Sequence, residues 1–246
     1  MFLIEMITFA LLSVRNSPLN TFLLNELNSI GAYPDHIIFD KKNWSETDLK
    51  RFCFRIGKKI SDIEFFHNRG NLSYYEVENH NNEETVDYIK QNNIDFLVNA
   101  GTPRILKEDM INSSRFGILN CHPGILPDFR GCCCVEWSIF LDKPVGNSVH
   151  WMDDGIDTGP IIKTQITKCF KSDQYQDIRK RVYFDGFNLL AKVIKRLKDL
   201  PSNENLGNLK GKRIKEGNYF SPMEDKLLEE VKEKLISGNY LHQLNN

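Results

Sequence analysis

Apolar and polar positions alternate in blocks along the chain, and the blocks switch period. Residues 1–14 are almost continuously apolar and read as a buried first strand. Ser17-Pro18 then opens a helix in which Leu19, Phe22, Leu23, Leu24, Leu27 and Ile30 recur at helical spacing until Gly31. The same alternation predicts strands over 36–40, 72–77, 94–100 and 116–119, and helices over 44–57, 85–91 and 107–113. Residues 58–71 carry no clear pattern, and 79–84 read as a polar turn. Farther on, the pattern predicts a helix over 132–142, strands over 148–152 and 160–169, and a long helix over 175–200. Strands and helices in alternation at this spacing point to an α/β fold, a mostly parallel sheet with helices on both faces. Ligands of such sheets lie beyond the carboxyl ends of the strands, which places the segment 101–106 on the ligand edge.

Past Pro201 the composition turns to Asn, Gly, Lys and Glu: a loop or loose hairpin over 202–217, then a charged helix over 223–236. The expected organisation is one catalytic domain over 1–200 and a short extension over 201–246. A formal net charge of -1 gives no reason to expect a nucleic-acid or membrane partner. The apolar start lacks a basic leader, contains Glu5 and has no small-x-small cleavage site, so a cytoplasmic location is expected. The 6 cysteines, three of them consecutive at 132–134, read as reduced small apolar residues, and no spacing among them suits a metal.

Two polar stretches interrupt the apolar blocks. Alternation in the 116–119 strand and its continuation puts Ile118, Asn120 and His122 on one face, just before the Pro- and Gly-rich run 123–131. The run 152–160 then supplies Asp153, Asp154 and Asp157 on a second Gly-rich loop. An amide that stabilises an oxyanion, an imidazole that donates or accepts a proton, and a carboxylate that orients the imidazole suffice for acyl transfer to an amine. Local hydrogen bonding and turn formation explain the same residues equally well on spacing alone.

The segment Asn120-x-His122-Pro123-x-Ile125-Leu126-Pro127-x-x-x-Gly131, followed by Asp154-x-x-Asp157-Thr158-Gly159-Pro160, resembles the signature of the folate-dependent formyltransferases. The resemblance implies a Rossmann-like formyltransferase core, N10-formyltetrahydrofolate as donor without a metal, and Asn120, His122 and Asp157 as catalytic trio. It implies a pterin pocket from the backbone at Arg104, Ile105 and Leu106, within 100–106, and from the acidic loop at Asp153, Asp154 and Gly155.

Departures from the family narrow the acceptor. The loop after the first strand, Arg15-Asn16-Ser17-Pro18, lacks the glycines of the ribonucleotide-transferring members, and the residues after Pro201 are too few for the barrel of the tRNA enzymes. Trp137 in the helix after Gly131 is similar to the sugar N-formyltransferases and, with Arg130, is nominated for the acceptor, although a helical Trp also suits a core. The expected function is formyl transfer to a nucleotide-linked amino sugar, with a dTDP-linked 4-amino-4,6-dideoxyhexose for surface polysaccharide as the leading case. Glycinamide ribonucleotide formyltransferase and a non-catalytic folate-binding module are the alternatives. The tail is left open between supporting a homodimer and lining a sugar pocket.

Overall fold

The computed structural model describes residues 7–63, 72–200, 211 and 216–245. Strand β1 (Phe9–Ser13) is buried at every position, as a strand covered on both faces requires. Ser17 caps α1 (Pro18–Ser29) by accepting the Leu19 N–H, and Ser45 caps α2 (Glu46–Arg55), after β2 (His36–Asp40), by accepting that of Asp48. The unpatterned stretch holds a single 3-10 turn, Ile60–Asp62, and its residues 64–71 lie outside the described part. Alternation then continues through β3 (Ser73–Val77), α3 (Glu83–Gln91), β4 (Phe96–Asn99), α4 (Glu108–Ile111) and β5 (Ile118–His122).

The second half runs β6 (Arg130–Gly131), α5 (Cys134–Phe140), β7 (Gly146–Trp151), β8 (Ile161–Ile166), β9 (Cys169–Phe170) and α6 (Tyr175–Lys198). It ends with β10 (Tyr219–Phe220), α7 (Asp225–Ile236) and β11 (Gln243–Leu244). No helix among the described residues is long and apolar enough to cross a membrane.

The main sheet has the order β3-β2-β1-β4-β5-β7-β8, with parallel pairing from β3 to β5 and antiparallel pairing at β5–β7 and β7–β8. Its two faces follow the period of two along β1. Phe9 and Leu11 pack with Leu23 and Leu27 of α1 and Leu190 and Ile194 of α6, while Ala10 and Leu12 pack with Ile89 of α3 and Met110 of α4. This is the α/β architecture expected, with a mostly parallel sheet and helices on both faces.

Three local expectations shift. α3 starts at Glu83, two residues earlier than the pattern suggests, with Asn82 at its cap. The helix expected from 132 starts at Cys134, because Cys133 sits in the left-handed region at φ 53° and Gly131 is spent on pairing with β10. The strand expected over 160–169 divides into β8 and β9, the latter pairing with β11. Most of the loop or hairpin expected over 202–217 lies outside the described residues. α7 buries Val231 and Leu235 against Val135 and Ile139 of α5 and Val182 of α6, so its charged residues cover only one side of it.

Candidate active site

Asn120 and His122 stand at the carboxyl end of β5, where the sheet changes from parallel to antiparallel. Across the antiparallel boundary Asn120 pairs in register with His150 and His122 with Ser148. On the parallel side Asn99 ends β4, and its side chain reaches Asn120.

These groups form a chain of hydrogen bonds whose direction is fixed at both ends. Backbone N–H groups only donate, so the Asn99 Oδ1 that accepts from Gly101 and Thr102, both at 3.1 Å, must be the oxygen. Asn99 Nδ2 therefore donates to Asn120 Oδ1 at 3.1 Å. Asn120 Nδ2 in turn donates to His150 Nε2 at 3.1 Å, and His150 donates from Nδ1 to the Trp151 carbonyl at 2.9 Å. One amide hydrogen of Asn120 is thus spent, and among the described residues the other has no partner.

Asp157 approaches from the loop after β7, in the left-handed region at φ 54°. Its Oδ2 accepts from the Gly131 N–H at 3.0 Å and lies 3.3 Å from His122 Nδ1, and its Oδ1 lies 3.6 Å from His150 Nε2. The loop is braced by Asp153, whose Oδ1 accepts from the Gly155 N–H at 3.2 Å and from the Thr158 hydroxyl at 2.6 Å. Gly155 is required there, since a Cβ would lie 2.0 Å from Thr158 Oγ1. Burial acts to raise the Asp157 pKa, but the nearby His122 and the Gly131 N–H outweigh it and hold the carboxyl below its ordinary value. His122 is pushed the other way by its own burial, below the ordinary imidazole value, against the pull of Asp157 and the Phe129 carbonyl. Its Nε2 donates to that carbonyl at 2.7 Å, which leaves the Nδ1 lone pair facing Asp157. The pair is a charged carboxylate and a neutral imidazole with room for one more proton between them.

The expected donor segment is held by its side chains and offers its backbone. Arg104 is locked on the buried Asp40, through Nε at 2.6 Å and an Nη at 2.8 Å, and donates to the Glu78 carbonyl at 3.0 Å. Leu106 points into the core at 5 % exposure, whereas Ile105 is 85 % exposed. Asn81 pins the turn by donating to the Ile105 carbonyl and accepting from the Lys107 N–H. Among the described residues the N–H groups of Ile105 and Leu106 have no hydrogen-bond partner, and with the Ile105 side chain they suit the polar edge and apolar face of a pterin.

The cavities divide the nominated residues. Asp153 and Asp154 line a cavity of about 860 Å³ together with Arg115, Trp151 and Met152, whereas Arg104 and Ile105 border a cleft of about 640 Å³ on the side of α2. Neither acceptor nominee lines either space. Arg130 donates to the Gly217 carbonyl at 2.8 Å, and Trp137 donates from Nε1 to the Ser221 carbonyl at 2.9 Å with its ring stacked on Phe220. Sequence reasoning missed Asn99 and His150. Asn99 is the one polar residue of β4, while His150 stands between Val149 and Trp151 in β7, and either signal needs the strand order to be used. No group of three or more His, Cys, Asp or Glu among the described residues could hold a metal, and all six cysteines are free thiols.

Known proteins with a related chain include formyltransferases. A methionyl-tRNA formyltransferase of Wolbachia sp. is 33% identical over 113 residues, 45% of this chain and 38% of that protein. The corresponding protein of Fusobacterium nucleatum is 29% identical over 145 residues, 58% and 47% of the two chains. The chain thus matches less than half the length of these relatives. Among solved structures, a sugar N-formyltransferase from Shewanella sp superposes with a TM-score of 0.61 at 20% identity, over 97% of this chain and 92% of its own. A phosphoribosylglycinamide formyltransferase from Bacillus halodurans gives 0.58 at 20% identity, over 81% and 98%. At those identities the likeness is one of fold. The formyl transferase family model matches residues 38–194, from within β2 through most of α6 and across the whole Asn120, His122 and Asp157 cluster, and the chain belongs to that family.

Proposed function

We propose that this chain transfers the formyl group of N10-formyltetrahydrofolate to the amine of a nucleotide-linked amino sugar in the cytoplasm, with a dTDP-linked 4-amino-4,6-dideoxyhexose as the leading acceptor. The observation that carries the chemistry is the fixed direction of the hydrogen-bond chain through Asn120, which leaves one N–H free beside the His122–Asp157 pair. The amine attacks the formyl carbon, the carbonyl oxygen becomes an oxyanion held by Asn120 Nδ2–H, and the C–N10 bond then breaks. The proton lost by the amine passes through an ordered water to His122 Nδ1, where Asp157 balances the imidazolium, and returns to N10 as the donor leaves. Products are the formamide and tetrahydrofolate. The donor is held by the Ile105 and Leu106 backbone and by the acidic loop with Asp153, Asp154 and Gly155.

An amino-sugar acceptor is supported by the closed loop after β1. Asn16 spends its side chain on the Trp44 backbone, Ser17 caps its own helix, and Pro18 has no N–H, so little is left there for a ribose phosphate. The test presents dTDP- and UDP-linked amino sugars, glycinamide ribonucleotide and methionyl-tRNA in turn, each with N10-formyltetrahydrofolate. Formylated amino sugar is the expected product. Transfer only to the ribonucleotide or the tRNA overturns the acceptor, and donor binding without transfer to any amine overturns the activity.

A further inference from the structure

The cleft beside the donor segment carries a positive excess that the formyl chemistry does not use. It has a volume of about 640 Å³ and is lined by Lys42, Trp44, Asp48, Arg51 and Arg55 on one side and by Ile105 of the donor segment and Tyr183 on the other. Arg104 at its rim is neutralised by Asp40. Among the described residues Arg51 pairs with Asp48 alone, at 3.4 Å. Arg55 and Arg179 share the single carboxylate of Glu136, at 3.9 and 3.5 Å, and Glu136 Oε2 and Arg179 Nε make no hydrogen bond. Two guanidiniums on one carboxylate leave one positive charge over, and the Arg55 side chain, 22% exposed, brings it to the cleft wall. Such an excess in a partly buried place is stabilised by an anion. Arg51 and Arg55 are four residues apart on α2, so they share a helix face.

The cleft also leads to the reacting groups. Tyr183 lines both it and a smaller pocket of about 110 Å³ whose walls include Asn99, Asn120 and Phe187. Arg55 contacts Cys133 Sγ at 3.6 Å, two residues from the Gly131 whose N–H holds Asp157. Trp44 is fixed at the cleft wall by its Nε1–H on the Gly101 carbonyl at 2.9 Å, so its ring can serve as a platform for a planar base.

We propose that this cleft binds the phosphate or diphosphate of the acceptor, with Arg51 and Arg55 as its ligands, so that the attached group extends past Tyr183 and delivers its amine to Asn120. Guanidinium forks match phosphate oxygens in pairs. Only the identity of the attached group as a sugar rests on the proposed function; the anion site is independent of it.

Calorimetric titration of the protein at low salt with inorganic pyrophosphate, then with dTDP, UDP and GDP, tests the site. Wild type should bind, and Arg51→Glu and Arg55→Gln should each weaken pyrophosphate by roughly tenfold or more, as expected for a lost charge-assisted contact. An unchanged circular dichroism spectrum and urea midpoint in the same variants serve as the check that they are folded. Equal pyrophosphate affinity in wild type and both variants, or no binding to wild type at millimolar concentration, overturns the site. Weakened pyrophosphate binding without formyl transfer to any nucleotide-linked sugar keeps the site and removes the sugar. Transfer to such a sugar with an unchanged acceptor KM in both variants does the reverse.

Discussion

Asn120 has two amide hydrogens, and only one is spent. The division of labour is set by its neighbours: Asn99 takes the oxygen and His150 takes one N–H, so the amide cannot turn over without breaking both bonds. Asn120→Ala should lower kcat by roughly 10² to 10³, the usual loss for one oxyanion donor. Asn99→Leu removes the restraint on Asn120 together with the acceptor of the Gly101 and Thr102 N–H groups, and leaves Asn120 itself in place. Losing a neutral hydrogen bond of about 1 kcal/mol should cost kcat roughly fivefold with the acceptor KM unchanged. Steady-state kinetics of the two variants separate a group that touches the oxyanion from one that positions it. Equal losses in both would show that Asn99 does more than orient. A period of two put Asn120 and His122 on one face of a strand end, and the resemblance was needed to give them a role. Asp157 needed the resemblance, because a loop residue has no period. Asn99 and His150 were not legible. What brings them to Asn120 is pairing between strands, and in the sequence His150 is thirty residues away, inside a strand of apolar neighbours.

At the level of elements, the long periodic segments were read correctly from β1 to α6, because burial of one face or two imposes a pattern on the sequence itself. Elements of two residues could not be read that way. β6, β9, β10 and β11 each span two residues, too few for any period, and their pairing is decided by where the tail docks. In the charged segment 223–236 the four-residue spacing of Leu227, Val231 and Leu235 marks an apolar line, and Val231 and Leu235 are fully buried beneath α7. Leu235→Ala should therefore destabilise the fold by about 2 to 5 kcal/mol, as for other large-to-small changes in a packed core. Urea denaturation measures it. A change within about 0.5 kcal/mol, typical of surface sites, would mean that α7 contributes little to the core.

For the whole molecule, acid should be destabilising over a wide range. Burial pushes the pKa of His80 and of His122 down, so below the unfolded value of about 6.5 the unfolded chain binds more protons than the folded one. Stability then falls as pH drops toward the folded values. Asp40, Glu136 and Asp157 add to this at lower pH. Burial acts to raise each of them, yet their partners hold them low: Arg104 for Asp40, Arg179 and Arg55 for Glu136, His122 and the Gly131 N–H for Asp157. Their contribution is complete above the unfolded carboxyl pKa and is lost as pH falls through the folded one. The urea midpoint should decline from pH 7.5 to pH 5 and more steeply below about 4.5. A flat midpoint down to pH 5 would mean that neither histidine is buried in its neutral form.

The tail reaches the centre of this system through β10. Arg130 and Cys132 donate their N–H groups to the carbonyls of Asn218 and Phe220, and the Phe220 ring lies against both Phe129, at 5.2 Å, and Trp137, at 5.4 Å. The intervening residue, Gly131, presents the N–H that holds Asp157, and a Cβ there would come within 2.4 Å of the Phe220 carbonyl. During synthesis, then, a ribosome that has delivered every residue of the Asn120, His122 and Asp157 cluster has not yet delivered the strand that sets its carboxylate. A polypeptide that stops before Tyr219 would carry Asn120, His122 and Asp157 without the strand that pairs with Gly131, whose N–H holds the carboxylate.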